Sequence, residues 1–274
     1  MVIVRQLYNH QPRTKMEFKT VNPNPSISLF VKNILIFNEA ESDLQSILPF
    51  FADGYPGLIF QQTTNGLLVK PHDKLMPHFF LYGQTIHPVE LVITGPYKLI
   101  VFQLYPFVLK SFFNVEPKDL NDNCYNLNQL ENNTGAHTLI KLNQTQSFKE
   151  RIDIITAFIH LLFENKQKEL DFTIAIAIQK IISVKGQLNI GDLYRELNLT
   201  ERTFERRFIS SVGVTAKQFS KIIQFHQSLE QLTVKDFTKL TDVVYANGFA
   251  DQSHFIKVFK AFTGKTPFAF TAQK

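Results

Sequence analysis

The sequence predicts an α+β chain of two domains, a β-rich first half followed by an all-helical C-terminal region. Three observations carry that reading. Over the first 140 residues short β-rich pieces alternate with turn signals. At Ser147 the apolar spacing changes to that of a helix, and from Asp171 onward no strand pattern survives. At 274 residues and 44% hydrophobic composition, the chain is long enough for one large domain or two ordinary ones, either of which buries a substantial core.

The β-rich pieces are SISLFV (26–31), GLIFQ (57–61), GLLVK (66–70), HFFLYG (78–83), VELVIT (89–94) and KLIVFQLY (98–105). Asp53-Gly54, Asn65-Gly66 and Gly95-Pro96 punctuate them, and Asn65-Gly66 is the strongest hairpin signal. Short, evenly spaced strands of this kind form a barrel or a sandwich. The polar stretch 121–135 reads as a loop or a set of short turns.

Ser147 and Glu150 form an S-x-x-E capping box that opens a helix running to about Asn165. Phe148, Ile152, Ile155, Ile159 and Leu162 make one apolar stripe along it, and Ile154, Phe158 and Leu161 a second. Two stripes point to one face on the sheet domain and one on a partner chain, with Ile152, Ile155, Ile159 and Leu162 as dimerisation candidates in a homodimer. A helix buried between two domains of one chain accounts for the pattern equally well. The organisation is therefore a β domain over 1–140, a helical connector over 141–167 and a helical domain over 168–274. In the last, Phe172, Ile176, Ile178, Ile181 and Ile182 mark a first helix that stops near Gly186, and six short segments follow.

The helical domain repeats itself at an offset of 51 residues. Phe204 meets Phe255, Arg206 meets Lys257, Phe208 meets Phe259, Gly213 meets Gly264, Thr215 meets Thr266 and Phe219 meets Phe270. These are the structural positions of a helix-turn-helix, giving units at about 190–211 and 241–262. In the first, Leu193 and Leu197 line a short helix, Asn198 takes the left-handed turn, and Thr200 caps the next helix. Leu199 and Phe204 staple its entry. In the second, Val243 and Val244 line the short helix, Gly248 turns the chain, Asp251 caps, and Ala250 faces Phe255 as a weaker staple. A helix of about seventeen residues, Ala216 to Leu232, joins the units; at about 1.5 Å per residue it spans about 26 Å. With its flanking turns it sets the two outer helices near 34 Å apart, about one turn of B-DNA.

The charge agrees with a polyanionic partner. Of the net +5, residues 1–167 contribute nothing, with 14 basic and 14 acidic side chains; residues 168–274 hold 15 basic against 10 acidic. A single cysteine, Cys124, excludes a disulfide scaffold and a thiolate zinc cluster and fits the cytoplasm. No apolar run reaches the length of a membrane span, and Met1–Arg13 lacks the pattern of a signal peptide.

The runs LNLTERTFERRF before Gly213 and NGFADQSHFIKVFKAFTGKTP at 247–267 resemble the DNA-binding domain of AraC-type (AraC/XylS) transcriptional regulators, over about 168–274. The first half resembles the cupin-like β-barrel sensor domains that precede this module in bacterial members, most visibly at FADGYPGLIFQ (51–61). The chain departs from the family pattern at Tyr194 and Val244, where alanine is usual, and at Gln224 and Ser228, where arginine and alanine are usual. The resemblance implies a bacterial, cytoplasmic regulator that binds double-stranded DNA in two adjacent major-groove segments and holds a small-molecule effector in the barrel.

Carried over by position, the readers of DNA are Arg202, Thr203, Glu205 and Arg206 in the first unit and Gln252, Ser253, His254 and Lys257 in the second. Arginine suits guanine or phosphate, glutamate cytosine, glutamine adenine and lysine guanine or phosphate; Thr203 and His254 fall to the backbone. The rival for Arg202, Glu205 and Arg206 is a solvated charge face. No cofactor or metal is expected: His72, His78 and His87 lie on neighbouring β pieces without an H-x-H pair, and no nucleophile or phosphate-loop motif occurs. The alternative function is a small-molecule-binding or metal-dependent cupin-like enzyme with an appended helical module, and a third is an interaction protein whose helices bind protein.

Overall fold

A computed structural model describes residues 16–41, 44–166 and 170–272; the N-terminal run Met1–Arg13 lies outside the described residues. The strands are β1 (Glu17–Val21), β2 (Val31–Glu39), β3 (Gln45–Phe50), β4 (Gly57–Thr63), β5 (Leu67–Lys70), β6 (Lys74–Leu75), β7 (Phe79–Tyr82), β8 (Val89–Thr94), β9 (Tyr97–Leu104) and β10 (Cys124–Asn126). They form a six-stranded sheet in the order β1-β2-β9-β4-β7-β10 and a four-stranded sheet in the order β3-β8-β5-β6. All pairs are antiparallel.

The period of two sorts the side chains of the larger sheet between two cores. On β9, Leu99 and Val101 face the smaller sheet, while Ile100 and Phe102 face the helices. On β7, Phe80 and Tyr82 take the first side, Phe79 and Leu81 the second. A sheet covered on both faces needs apolar residues without alternation, which is why VKNILIFNE of β2 shows no strand period. The β domain therefore takes the form of two facing sheets, and among the described residues no ladder joins them into a closed barrel.

Two local expectations are corrected, and a third is refined. Asn65-Gly66 does not close a hairpin: β4 pairs with β7 and β9, whereas β5 pairs with β6 and β8, so the turn carries the chain from one sheet to the other. Residues 26–30 form turns, with Phe30 N–H donating to Ile27 O at 2.9 Å, and the strand begins at Val31. The stretch 121–135 holds β10, 3₁₀ turns and the start of a helix.

The helices are α1 (Val108–Phe113), α2 (Thr134–Gln144), α3 (Phe148–Lys166), α4 (Phe172–Ser183), α5 (Ile190–Glu196), α6 (Glu201–Val212), α7 (Ala216–Val234), α8 (Leu240–Ala246), α9 (Gln252–Thr263) and α10 (Pro267–Ala272). Ser147 caps α3 by accepting from Glu150 N–H at 3.3 Å, but the Glu150 carboxylate accepts from the Thr145 hydroxyl instead of completing the box. The dimerisation stripe is also corrected. Ile155, Ile159 and Leu162 are buried inside this chain with Phe79, Phe113 and the other side chains of the helix-facing core, and Ile152 is half-buried against it. A helix wedged between a sheet and α1 offers its apolar face there first, because that burial is worth about 1.5–3 kcal/mol for each large side chain.

One polar residue locks the connector. Arg151 of α3 is fully buried, lies 5.2 Å over the Phe60 ring, and donates to Gln62 Oε1 at 2.7 Å, Thr145 O at 2.6 Å and Leu142 O at 3.2 Å. Three acceptors from β4 and from the α2–α3 junction thus fix the helix to the sheet.

Candidate DNA interface

Each helix-turn-helix unit is assembled by local devices. In the first, Asn189 opens α5 by accepting from Gly191 N–H at 2.7 Å, and Asn198 makes the turn at φ 54°. Thr200 accepts from Thr203 N–H at 3.3 Å, Phe204, Phe208 and Val212 bury the inner face of α6, and Leu199 packs on the same core. Gly213 ends α6 at φ 87°, its N–H donating to Ile209 O at 2.8 Å; a side chain there would also strike the backbone of Pro117, 2.8 Å away.

In the second unit, Asp251 accepts from His254 N–H at 2.7 Å and Phe255 and Phe259 are buried. The staple is not Ala250, which is exposed, but Phe249, whose ring centroid lies 5.0 Å from that of Phe255. Asn247 braces the turn by donating to Val243 O at 2.8 Å and to Gln231 Oε1 of α7 at 2.9 Å. The departures from the family pattern are absorbed: Tyr194 leans on Phe204 at 6.2 Å, Val244 is buried, and the Ser228 hydroxyl donates to Phe225 O at 2.7 Å.

Of the eight residues assigned to DNA, Arg202 and Arg206 of α6 and Gln252, Ser253 and Lys257 of α9 are exposed. The other three are half-buried and engaged within the protein. Thr203 accepts from the Thr200 hydroxyl at 3.0 Å, and His254 lies edge-on to Phe249 at 5.7 Å. Glu205 differs from its assignment most: burial raises its carboxyl pKa, and the carboxylate accepts from the backbone N–H of Ala216, at the start of α7. It is a strut between α6 and α7. Sequence reasoning passed over Tyr245 of α8, which is exposed; the available signal was its register with Tyr194 in the repeat.

The first unit is also tied to its surroundings. Arg207 Nε donates to Asp171 Oδ2 at 2.7 Å, with a second bond from Nη2 to Oδ1. Burial raises the Asp171 pKa, but Arg207 and the backbone N–H of Ile174 outweigh it and hold the carboxyl below its ordinary value. From the β domain, Lys110 Nζ donates to Ser210 Oγ at 2.7 Å and Asn121 Nδ2 to Gly213 O at 2.8 Å.

The three histidines weighed as metal ligands lie in different surroundings: His72 is exposed, His78 Nδ1 is 3.3 Å from Gln61 O, and His87 Nδ1 is 2.7 Å from Asp122 Oδ2. Among the described residues no group of three His, Cys, Asp or Glu side chains could hold a metal ion, and no helix is long and apolar enough to cross a membrane.

Fold, paired units and exposed basic side chains define the helix-turn-helix class of DNA-binding proteins. Residues 193–273 match a helix-turn-helix domain, and residues 19–126 match a domain of unknown function, DUF6597. The C-terminal helical region is thus an AraC-type helix-turn-helix domain. An uncharacterised HTH-type transcriptional regulator of Staphylococcus aureus (strain MSSA476) is 24% identical over 152 residues, 52% of this chain and 20% of that protein. Cation/H(+) antiporter 11 of Arabidopsis thaliana is 25% identical over 142 residues, 52% of this chain and 16% of the antiporter. The chain thus spans a fifth or less of these curated relatives. Among solved structures, ToxT from Vibrio cholerae O395 superposes with a TM-score of 0.43 at 16% identity, covering 93% of this chain and 97% of ToxT. ToxT bound to an unsaturated fatty acid gives 0.43 at 17% identity, covering 87% of this chain and 94% of that one.

Proposed function

We propose that the chain is a sequence-specific DNA-binding regulator of transcription in the bacterial cytoplasm, with α6 and α9 entering two successive major-groove segments on one side of the duplex. The observation that carries this is the pair of capped helices with Arg202, Arg206, Gln252, Ser253 and Lys257 exposed on their outer sides. They are joined by α7, whose 19 residues span about 28 Å; the flanking turns bring the separation close to the ~34 Å repeat of B-DNA. Arg202, Arg206 and Lys257 supply base or phosphate contacts, Gln252 suits adenine, and Ser253 is permissive. Thr203 and His254 sit beside them as backbone contacts. The β domain serves as the sensor of a small-molecule effector.

The test is a gel-shift titration against the DNA upstream of the chain's own gene at two salt concentrations. Binding that weakens steeply with salt supports the reading, and affinity indifferent to salt overturns it. Arg206→Ala is expected to weaken specific binding by about 1–3 kcal/mol while leaving non-specific binding less affected.

A further inference from the structure

The C-terminal end of α6 is gripped from the β domain at two points. Lys110 of α1 donates from Nζ to Ser210 Oγ at 2.7 Å, while Glu116 Oε1, 2.8 Å away, holds the ammonium from the other side. Asn121 Nδ2 donates at 2.8 Å to the carbonyl of Gly213, the residue that ends α6. Pro117 closes on the same glycine, with its backbone 2.8 Å from where a side chain would begin. In the second unit the position of Ser210 is taken by Ala261, whose side chain offers no acceptor.

The groups that grip are themselves anchored. Asp122, next to Asn121, ties the segment to the loop between β7 and β8. Its Oδ1 accepts from Ile86 N–H at 2.6 Å and from His87 N–H at 3.1 Å, and its Oδ2 lies 2.7 Å from His87 Nδ1. Its own N–H donates to Gln84 O at 3.0 Å. The same loop reaches the end of α9, where Pro88 Cγ is 3.9 Å from where a side chain at Gly264 would begin. The loop thus stands between the ends of the two outer helices. Through Asp122 and Asn121 it is bonded to one, and with the other it is in plain contact.

A grip at this end has leverage over the other. Arg202 lies eleven residues before Gly213, about 16 Å along the helix, so a tilt of about 10° pivoted at Gly213 moves it by roughly 3 Å, more than a bidentate contact to a base edge tolerates. We propose that Lys110 and Asn121 are positioning residues for DNA recognition. They hold the angle of α6 against α9, and so determine which bases Arg202 and Arg206 meet and how far these lie from the bases met by α9. The inference rests on the DNA-binding reading above and adds to it the part of the β domain that sets the geometry.

The test uses the full chain and a site selected from random duplex DNA, with Arg206→Ala and Lys257→Ala assigning its two halves to α6 and α9. Lys110→Met, Asn121→Ala and the two together are compared on that site and on sites with one base pair added or removed between the halves. The change of spacing should weaken binding of the unsubstituted chain about tenfold and that of the double variant about threefold or less. Discrimination against base changes should fall about fivefold in the α6 half and stay within about twofold in the α9 half. Asn121→Ala removes one hydrogen bond together with a buried acceptor, Oδ1, that has no partner, so the fold should hold. Ser210→Ala removes the Lys110 bond from the other side and should reproduce Lys110→Met, whereas Lys110→Arg should retain the behaviour of the unsubstituted chain. A spacing penalty unchanged in the double variant overturns the proposal. So does an equal loss in both halves accompanied by a lower unfolding midpoint, which would make the two residues merely structural. An unsubstituted chain that selects no site overturns the DNA-binding reading and this inference with it.

Discussion

The two helix-turn-helix units are built alike and held differently. In each, a side-chain cap opens the outer helix, two phenylalanines four residues apart bury its inner face, and a left-handed glycine closes it. Phe204 and Phe208 belong to a core that continues through α1 and α3 into the six-stranded sheet. Phe255 and Phe259 belong to a separate core to which, among the described residues, the β domain contributes Phe51 and Ala52. The repeat shows which residues make the difference. Arg207 pairs with Asp171 where the second unit has buried Val258, and Ser210 receives Lys110 where the second unit has Ala261. Tyr194 packs on Phe204, whereas Tyr245 is exposed. The first unit is thus fixed to the β domain and the second is carried by α7, so an event between the domains can change the angle of one unit relative to the other.

The largest expected effect tests that division directly. Phe208→Ala should cost about 3–5 kcal/mol and destabilise the whole chain in one transition, since the side chain is fully buried in the shared core. Phe259→Ala should cost about as much at its own site. Its loss of hydrogen-exchange protection should stay within the C-terminal half of α7 and the helices that follow. Protection lost equally in the β domain would mean that the two cores are one.

What the sequence made legible follows the same line between local and distant causes. Thr200, Asp251, Gly213 and Gly264 were readable because their hydrogen bonds run three or four residues along the chain. Strand β2 was not, because a strand covered on both faces loses its alternation, and α1, with only six residues, is too short for a period to show. The stripe on α3 was readable as apolar but not as to what it faces. Ile155 and Ile159 look the same in sequence whether the opposing surface is a second chain or this chain's own sheet. Glu205 on an outer helix reads as a contact with DNA, and only the position of Ala216 in the next helix makes it a strut. Asp53 was legible merely as half of a turn, since Gln103 and α7 approach it through the fold.

A smaller effect should separate the region between the domains from both cores. The Asp53 carboxyl is held near 7 against an ordinary 3.8, so the native state keeps a proton that the unfolded chain gives up. Between about pH 4 and pH 7 the native state therefore binds more protons, and its stability falls as pH rises through that window and levels off above it. Asp53→Asn removes this cost. Discounting for the water that reaches a group lining a cavity, it should stabilise the chain by about 2 kcal/mol at pH 8 and by nothing below about pH 4. Urea melts at the two pH values check the sign; a variant less stable at pH 8 would show that the carboxylate is paired in the native state.

The smallest effect compares the two caps. Asp251 receives a charge-assisted bond of 2.7 Å at the start of α9, where the helix dipole adds to it; the Thr200 hydroxyl receives one of 3.3 Å at the start of α6. Asp251→Ala should cost about 1–1.5 kcal/mol and Thr200→Ala about 0.5–1 kcal/mol. The difference in consequence should exceed the difference in energy. With Thr200 gone, α6 remains held along its length by Phe204, Arg207, Phe208 and Ser210, each with a partner outside the unit's own turn. With Asp251 gone, the first turn of α9 depends on Phe255 against Phe249, and Gln252 and Ser253 lose their fixed start. Hydrogen exchange at Ser253 and His254 should then rise well above that at Arg202 and Thr203 in the matching variant, and DNA affinity should fall further for Asp251→Ala. Equal exchange in the two variants would show that the first unit draws no support from the β domain.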